Sequence, residues 1–121
     1  MRVKVLCLFI GLVSCQRTEL EGTWRIEDAY IADSSLIADG CEDHVELMLA
    51  DSLGNHMRYK PSATTLPIYR LALKRIPPAP NTSLRAVKVI FIETGRQVEL
   101  LCGWGYKPKV GEIDLVEIRP R

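Results

Sequence analysis

From residue 24 onward the chain mostly alternates apolar and polar positions, the pattern of half-buried strands whose successive side chains point to opposite faces. Trp24, Ile26 and Tyr30 share one parity, as do Val45, Leu47 and Leu49, and then Met57 and Tyr59. Asp51-Ser52-Leu53-Gly54-Asn55 supplies turn residues, so 44–50 and 56–60 read as a hairpin. Val87, Val89 and Phe91 alternate with Ala86, Lys88, Ile90 and Ile92 in a strand apolar on both faces. Thr94-Gly95-Arg96 reads as a tight turn, after which Val98, Leu100, Cys102 and Trp104 face one side. In the last run Ile113 and Leu115 are out of phase with Val116 and Ile118, which a bulge near Leu115 or burial on both faces would explain. The segment 66–76 is ambiguous. Tyr69, Leu71 and Leu73 fit a strand, while Leu66, Tyr69, Leu73 and Ile76 fit a helical stripe; the neighbouring strands tilt the reading to strand. Pro77-Pro78-Ala79-Pro80 ends it in either case, and Pro77 to Ser83 is the one obvious loop. The expectation is an all-β fold, a small antiparallel barrel or sandwich of about seven or eight strands.

The first residues break this pattern. Arg2 and Lys4 precede the unbroken apolar run Val5 to Val13, which is too short to span a bilayer as a helix, since that takes about 20 residues. A basic start and a short apolar core are the charged and apolar regions of a secretory signal. The run ends in Leu12-Val13-Ser14-Cys15, which resembles a bacterial lipobox. That resemblance implies cleavage before Cys15, a diacylglycerol on its thiol, palmitate among its acyl chains, and attachment to a membrane. Gln16, rather than Asp, after the modified cysteine implies the outer membrane, with the domain facing the periplasm. The expected organisation is therefore a lipoprotein signal peptide at 1–14, a lipidated tether at 15–21 and one folded domain at 22–121.

Four cysteines then sort themselves. Cys7 leaves with the signal and Cys15 takes the lipid, which leaves Cys41 and Cys102 in an oxidising compartment, where an even count implies a disulfide. Closing a loop of about 60 residues would stabilise the domain by roughly 2–4 kcal/mol. Neither CxxC nor Cys/His spacing for zinc occurs, so no metal site is expected.

Composition and charge change the picture in one respect. With 121 residues the chain has room for a single domain, and 47% hydrophobic and 26% charged residues exclude a disordered or multi-span class. The formal net charge of +1 gives no support for nucleic-acid binding. It hides an asymmetry, however. Residues 16–51 carry ten acids against Arg17 and Arg25, a net of −8, whereas 52–121 carry a net of +7. Either acidic and basic strands neutralise each other across the sheet, or Arg58, Lys60, Arg70, Lys74, Arg75, Arg85 and Lys88 form a basic face; cross-strand pairing is the favoured reading. Asp39-Gly40-Cys41-Glu42-Asp43-His44 is the densest polar cluster but lacks calcium-loop spacing. His44 and His56 flank the hairpin without a third ligand. The chain has no GxSxG, HExxH, Walker loop or GxGxxG, so neither an enzyme nor a cofactor is expected.

Leu20-Glu21-Gly22-Thr23-Trp24-Arg25 resembles the G-x-W opening of lipocalin-like barrels, and Cys41-Glu42-Asp43, Val45 to Leu49 and Gly54 resemble their second and third strands. The resemblance covers residues 20–60 and implies that Trp24 packs across the barrel bottom. It carries over no binding residues. Together these readings describe a lipid-anchored binding module of the cell envelope for a small apolar ligand or an envelope protein. Trp24, Tyr30, Tyr69, Phe91 and Trp104 are then the residues that line a ligand or fill the core. The alternative is an envelope inhibitor, immunity or assembly lipoprotein that acts through its surface, with Pro77–Ser83 as a contact loop.

Overall fold

A computed structural model describes residues 23–33 and 40–121. The expected signal peptide at 1–14 and the expected lipidated tether at 15–21 lie outside the described residues. The described chain runs β1 (Trp24–Ala32), β2 (Val45–Ala50), β3 (His56–Pro61), α1 (Leu66–Arg75), β4 (Leu84–Glu99), a 3₁₀ turn at Gly103–Gly105, and β5 (Lys109–Pro120). The five strands close into a barrel in the order β1-β2-β3-β5-β4. All neighbours are antiparallel except β3 and β5, which run parallel through Tyr59↔Gly111, Lys60↔Glu112 and Pro61↔Ile113. The expectation of an all-β barrel is met in this coarse form, with five strands among the described residues where the pattern suggested seven or eight. An up-and-down barrel joins consecutive strands antiparallel all the way round; this one closes through the crossover of β3 to β5.

The hairpin stands where the sequence put it, with Val45 opposite Tyr59 and Ala50 opposite His56. Asp51 makes its turn: the carboxylate accepts the backbone N–H of Leu53 and of Asn55, and Gly54 sits at φ 84°. Two other readings need correction. Thr94-Gly95-Arg96 is no turn. β4 runs unbroken through it for 16 residues, with a register shift against β5 between Glu93 and Gln97 and Gly95 at φ 88°. The 66–76 segment is a helix, not a strand. Pro67 lies in its first turn, where its missing N–H and fixed φ cost nothing, and Leu71 to Arg75 are good helix formers. Tyr69 and Ala72 on one stripe of α1 enter the core together with Ile76 at its C-terminal cap, Lys74 and Arg75 meet the C-terminal dipole, and Pro77 follows. The phase slip of the last strand is a bulge, since Val116 has no partner between Phe91↔Leu115 and Ile90↔Glu117.

The inward face of β1 is the opposite of the one expected. Ala29 and Ile31 are buried, whereas Trp24 is 56% and Ile26 59% exposed, so Trp24 does not pack across the barrel bottom. Register decides this: Ala29 lies opposite Val87 and Ile31 opposite Arg85, and Trp24 and Ile26 share the outer face with Ile92 and Ile90. The interior is filled. Phe91, Leu47, Val45, Val87, Val89 and Ile113 have no exposed surface, and Tyr69 closes the end of the barrel under α1. The Tyr69 phenol donates to the Ala32 carbonyl at 2.8 Å and accepts the Ala32 N–H, tying the helix to the end of β1.

Candidate functional site

At the end of the barrel away from α1 the inward side chains turn polar. Arg25 and Glu27 precede Ala29 on the inner parity of β1. The Arg25 guanidinium lies over the Phe91 ring at 5.1 Å and over the Tyr59 ring at 5.9 Å. Its N–H groups donate to Glu93 at 2.7 Å, to Glu27 at 3.0 Å and to the Tyr59 hydroxyl at 3.3 Å. Burial alone would pull its pKa down, but the hydrogen bonds to Tyr59, Glu27 and Glu93 outweigh it and hold the group well above its usual value. Arg25 is therefore a permanent cation that stoppers the core between two carboxylates.

Beside this stopper the barrel wall is split. β3 and β5 pair only from Tyr59 and Gly111 onward, so their upstream ends diverge. A groove of about 920 Å³ opens between them. One wall is the tip and first residues of the β2–β3 hairpin, from Asp51 to Arg58; the other is Tyr106 and Pro108 to Gly111; Tyr59, Glu93 and Gln97 form its inner end. Gly111 makes this approach feasible, since a Cβ there would lie 3.0 Å from the Tyr59 ring. The Asn55 and Gln97 side-chain amides and the Lys109 ammonium have no partner among the described residues, so the groove offers donors and acceptors of both kinds.

A disulfide joins Cys41 to Cys102 and holds the loop before β2 against the loop between β4 and β5. Glu42 and Gly103 donate backbone N–H groups to Leu101 and Gly40 on either side of it. The Glu42 carboxylate accepts the Leu101 N–H at 2.7 Å and Lys60 at 2.9 Å. Burial pushes Glu42 up, but the Leu101 N–H and the Lys60 charge prevail and hold it below the ordinary carboxylate range. The loop so fixed presents Tyr106 to the groove, with Trp104 89% exposed two residues earlier at φ 63°.

Of the five aromatic positions expected to line a ligand or fill the core, the structure places Tyr69 and Phe91 in the core. Trp24 and Trp104 are exposed, and Tyr30 is half-buried in a smaller groove of about 440 Å³ with Cys41 and His44. His44 and His56 do approach each other, but through Glu46, whose carboxylate lies 4.0 Å from one and 3.6 Å from the other and also meets Arg58 at 3.5 Å. No cluster of three or more metal-ligating side chains occurs among the described residues. The basic residues pair largely with the acidic third of the sequence: Arg58 with Glu46, Lys60 with Glu42, Arg70 with Asp43 and Lys88 with Asp28. Ser62, buried, donates to Asp114 at 2.7 Å and bonds Thr65, a latch between the start of α1 and β5 with no histidine in it.

Sequence reasoning missed the Arg25–Glu27–Glu93–Tyr59 cluster. The one signal for it was a second set of alternating positions in β1, Arg25 and Glu27 in phase with Ala29 and Ile31. No helix among the described residues is long and apolar enough to cross a membrane. No family model, curated protein or solved structure matches the chain.

Proposed function

We propose that the protein is a lipid-anchored, non-catalytic binding module of the cell envelope that engages a protein partner at its surface groove. One observation carries this reading. The barrel interior is filled by its own side chains, while the groove between β3 and β5 is open and lined by polar side chains. A small apolar ligand needs a dry cavity, and the packed core offers none among the described residues. The strand order, with a helix between β3 and β4, resembles that of five-stranded Greek-key barrels that bind extended polar chains on an outer face. That likeness supports a surface site without naming its ligand. The lipobox resemblance at Leu12 to Cys15 supplies the anchor, and the G-x-W resemblance adds no ligand residues.

Site-specific photocross-linking in the native envelope tests the groove. A photoreactive residue at Asn55, Gln97 or Lys109 is expected to give one discrete protein adduct, and the same residue at Leu84 none. Adducts from the Pro77–Ser83 loop and none from the groove would move the contact to that loop. Mass spectrometry of the mature N-terminus tests the anchor separately, since an unmodified Cys15 removes it.

A further inference from the structure

The outer face of the β1–β4 ladder is divided. Trp24 lies opposite Ile92 and Ile26 opposite Ile90, which makes an apolar corner at the start of β1 where Trp24 and Ile26 are exposed, Ile92 is half-buried and Ile90 is buried. The next row is charged: Asp28 meets Lys88 at 3.0 Å and Arg121 at 3.6 Å, and Arg119 pairs with Glu117 alongside. With Asp114 opposite Ile92 on β5, three cations and three carboxylates balance along that border. Trp24 and Ile26 are each more than half exposed, although their strand has a buried face available, and a neighbouring Trp–Ile pair on the surface of a small domain marks an interaction site.

The chain itself says what lies opposite this corner. Only eight residues separate Cys15 from Trp24, so the linker spans at most about 30 Å, no more than the length of β1 itself. A domain on so short a leash, attached at the edge of its own apolar corner, cannot swing that corner far from the surface that holds Cys15. Tryptophan is the side chain best suited to the boundary of a bilayer, with an apolar ring and a polar N–H.

We propose that Trp24 and Ile26, with the half-buried Ile92 beside them, form a membrane-docking face that lies on the bilayer carrying the Cys15 anchor. The proposal rests on the anchoring reading above. In the cycle of strands the β3–β5 groove lies nearly opposite the β1–β4 ladder, so a docked domain turns its groove away from the membrane.

The test uses the chain from Cys15 onward. With Cys41 and Cys102 paired, Cys15 is its one free thiol, and coupling it to a maleimide lipid in phosphatidylethanolamine–phosphatidylglycerol vesicles supplies the anchor whatever the cell does. Trp104→Phe leaves Trp24 as the sole tryptophan. Docking predicts that Trp24 emission shifts to the blue on coupling, is quenched by shallow doxyl lipids and loses roughly half or more of its quenching by aqueous iodide. Ile26→Asp, an exposed change checked for folding by circular dichroism, is expected to abolish the shift. Equal iodide quenching before and after coupling overturns the proposal. So does shielding of Trp24 in the uncoupled protein, by residues 16–22 if independent of concentration and by a second copy if it grows with concentration. An unlipidated Cys15 in cells would overturn the anchor alone, because the coupled vesicles report on the face directly.

Discussion

Two polar groups inside the barrel meet the cost of burial in different ways. Arg25 stays charged because three oxygens surround it and two rings lie under its plane. Tyr69 stays neutral: burial raises its phenol from the ordinary 10 to about 12, against the lowering effect of its bond to Ala32. The folded state thus holds this proton more tightly than the unfolded chain does. Its contribution is complete below pH 10 and is lost as pH rises from there through about 12. Tyr69→Phe keeps the ring and strands the Ala32 carbonyl, so a loss of about 1–2 kcal/mol is expected in urea unfolding with an unchanged slope. The alkaline limb of the stability curve should shrink in the same variant; an identical limb would show that another group causes it.

At the scale of elements, β4 depends on a single residue to bend around the barrel without breaking. Gly95 stands at φ 88° with open space where a Cβ would go, so a substitution meets only the backbone penalty. Gly95→Ala is expected to cost about 1–2 kcal/mol and Gly95→Asn less, measured by thermal unfolding. A glycine between Thr94 and Arg96 has the composition of a turn, and only pairing with β5 on both sides of it shows a bend within one strand. The legibility of the other elements divides along the same line. The β2–β3 hairpin was readable because its register is set locally, by the Asp51–Asn55 turn. The inner face of β1 was not, because its apolar residues occupy both parities and the choice between them is made by β4, about sixty residues away. The helical stripe of α1 was visible, and it was the strand character of its neighbours that misled, although Pro67 in the first turn already favoured a helix. Of the candidate site, the disulfide followed from counting thiols. The groove did not, since it exists only where β3 and β5 part.

For the whole molecule, the acidic and basic parts of the sequence meet across strands, and this makes stability depend on acid. Asp28, through its bond to Lys88 and the charge of Arg121, and Glu42, through the Leu101 N–H and Lys60 against its own burial, both ionise below their usual range. Carboxylates held low stabilise the fold above their unfolded values, near 3.8 and 4.5, and lose that contribution as pH falls below them. Urea midpoints should therefore be level from neutrality to about pH 5 and decline below it, with a shallower decline in Glu42→Gln. Replacing Cys41 and Cys102 by alanine should lower stability by about 2–4 kcal/mol, read from the same midpoints at neutral pH. The closure of the barrel has a further consequence, in time. β5 pairs with β3 on one side and β4 on the other, and β4 returns to β1. No earlier stretch of the chain can complete the ring, so a polypeptide emerging from its N-terminus remains open until residues 109–120 arrive. A chain halted after residue 108 should remain as sensitive to protease as an unfolded one.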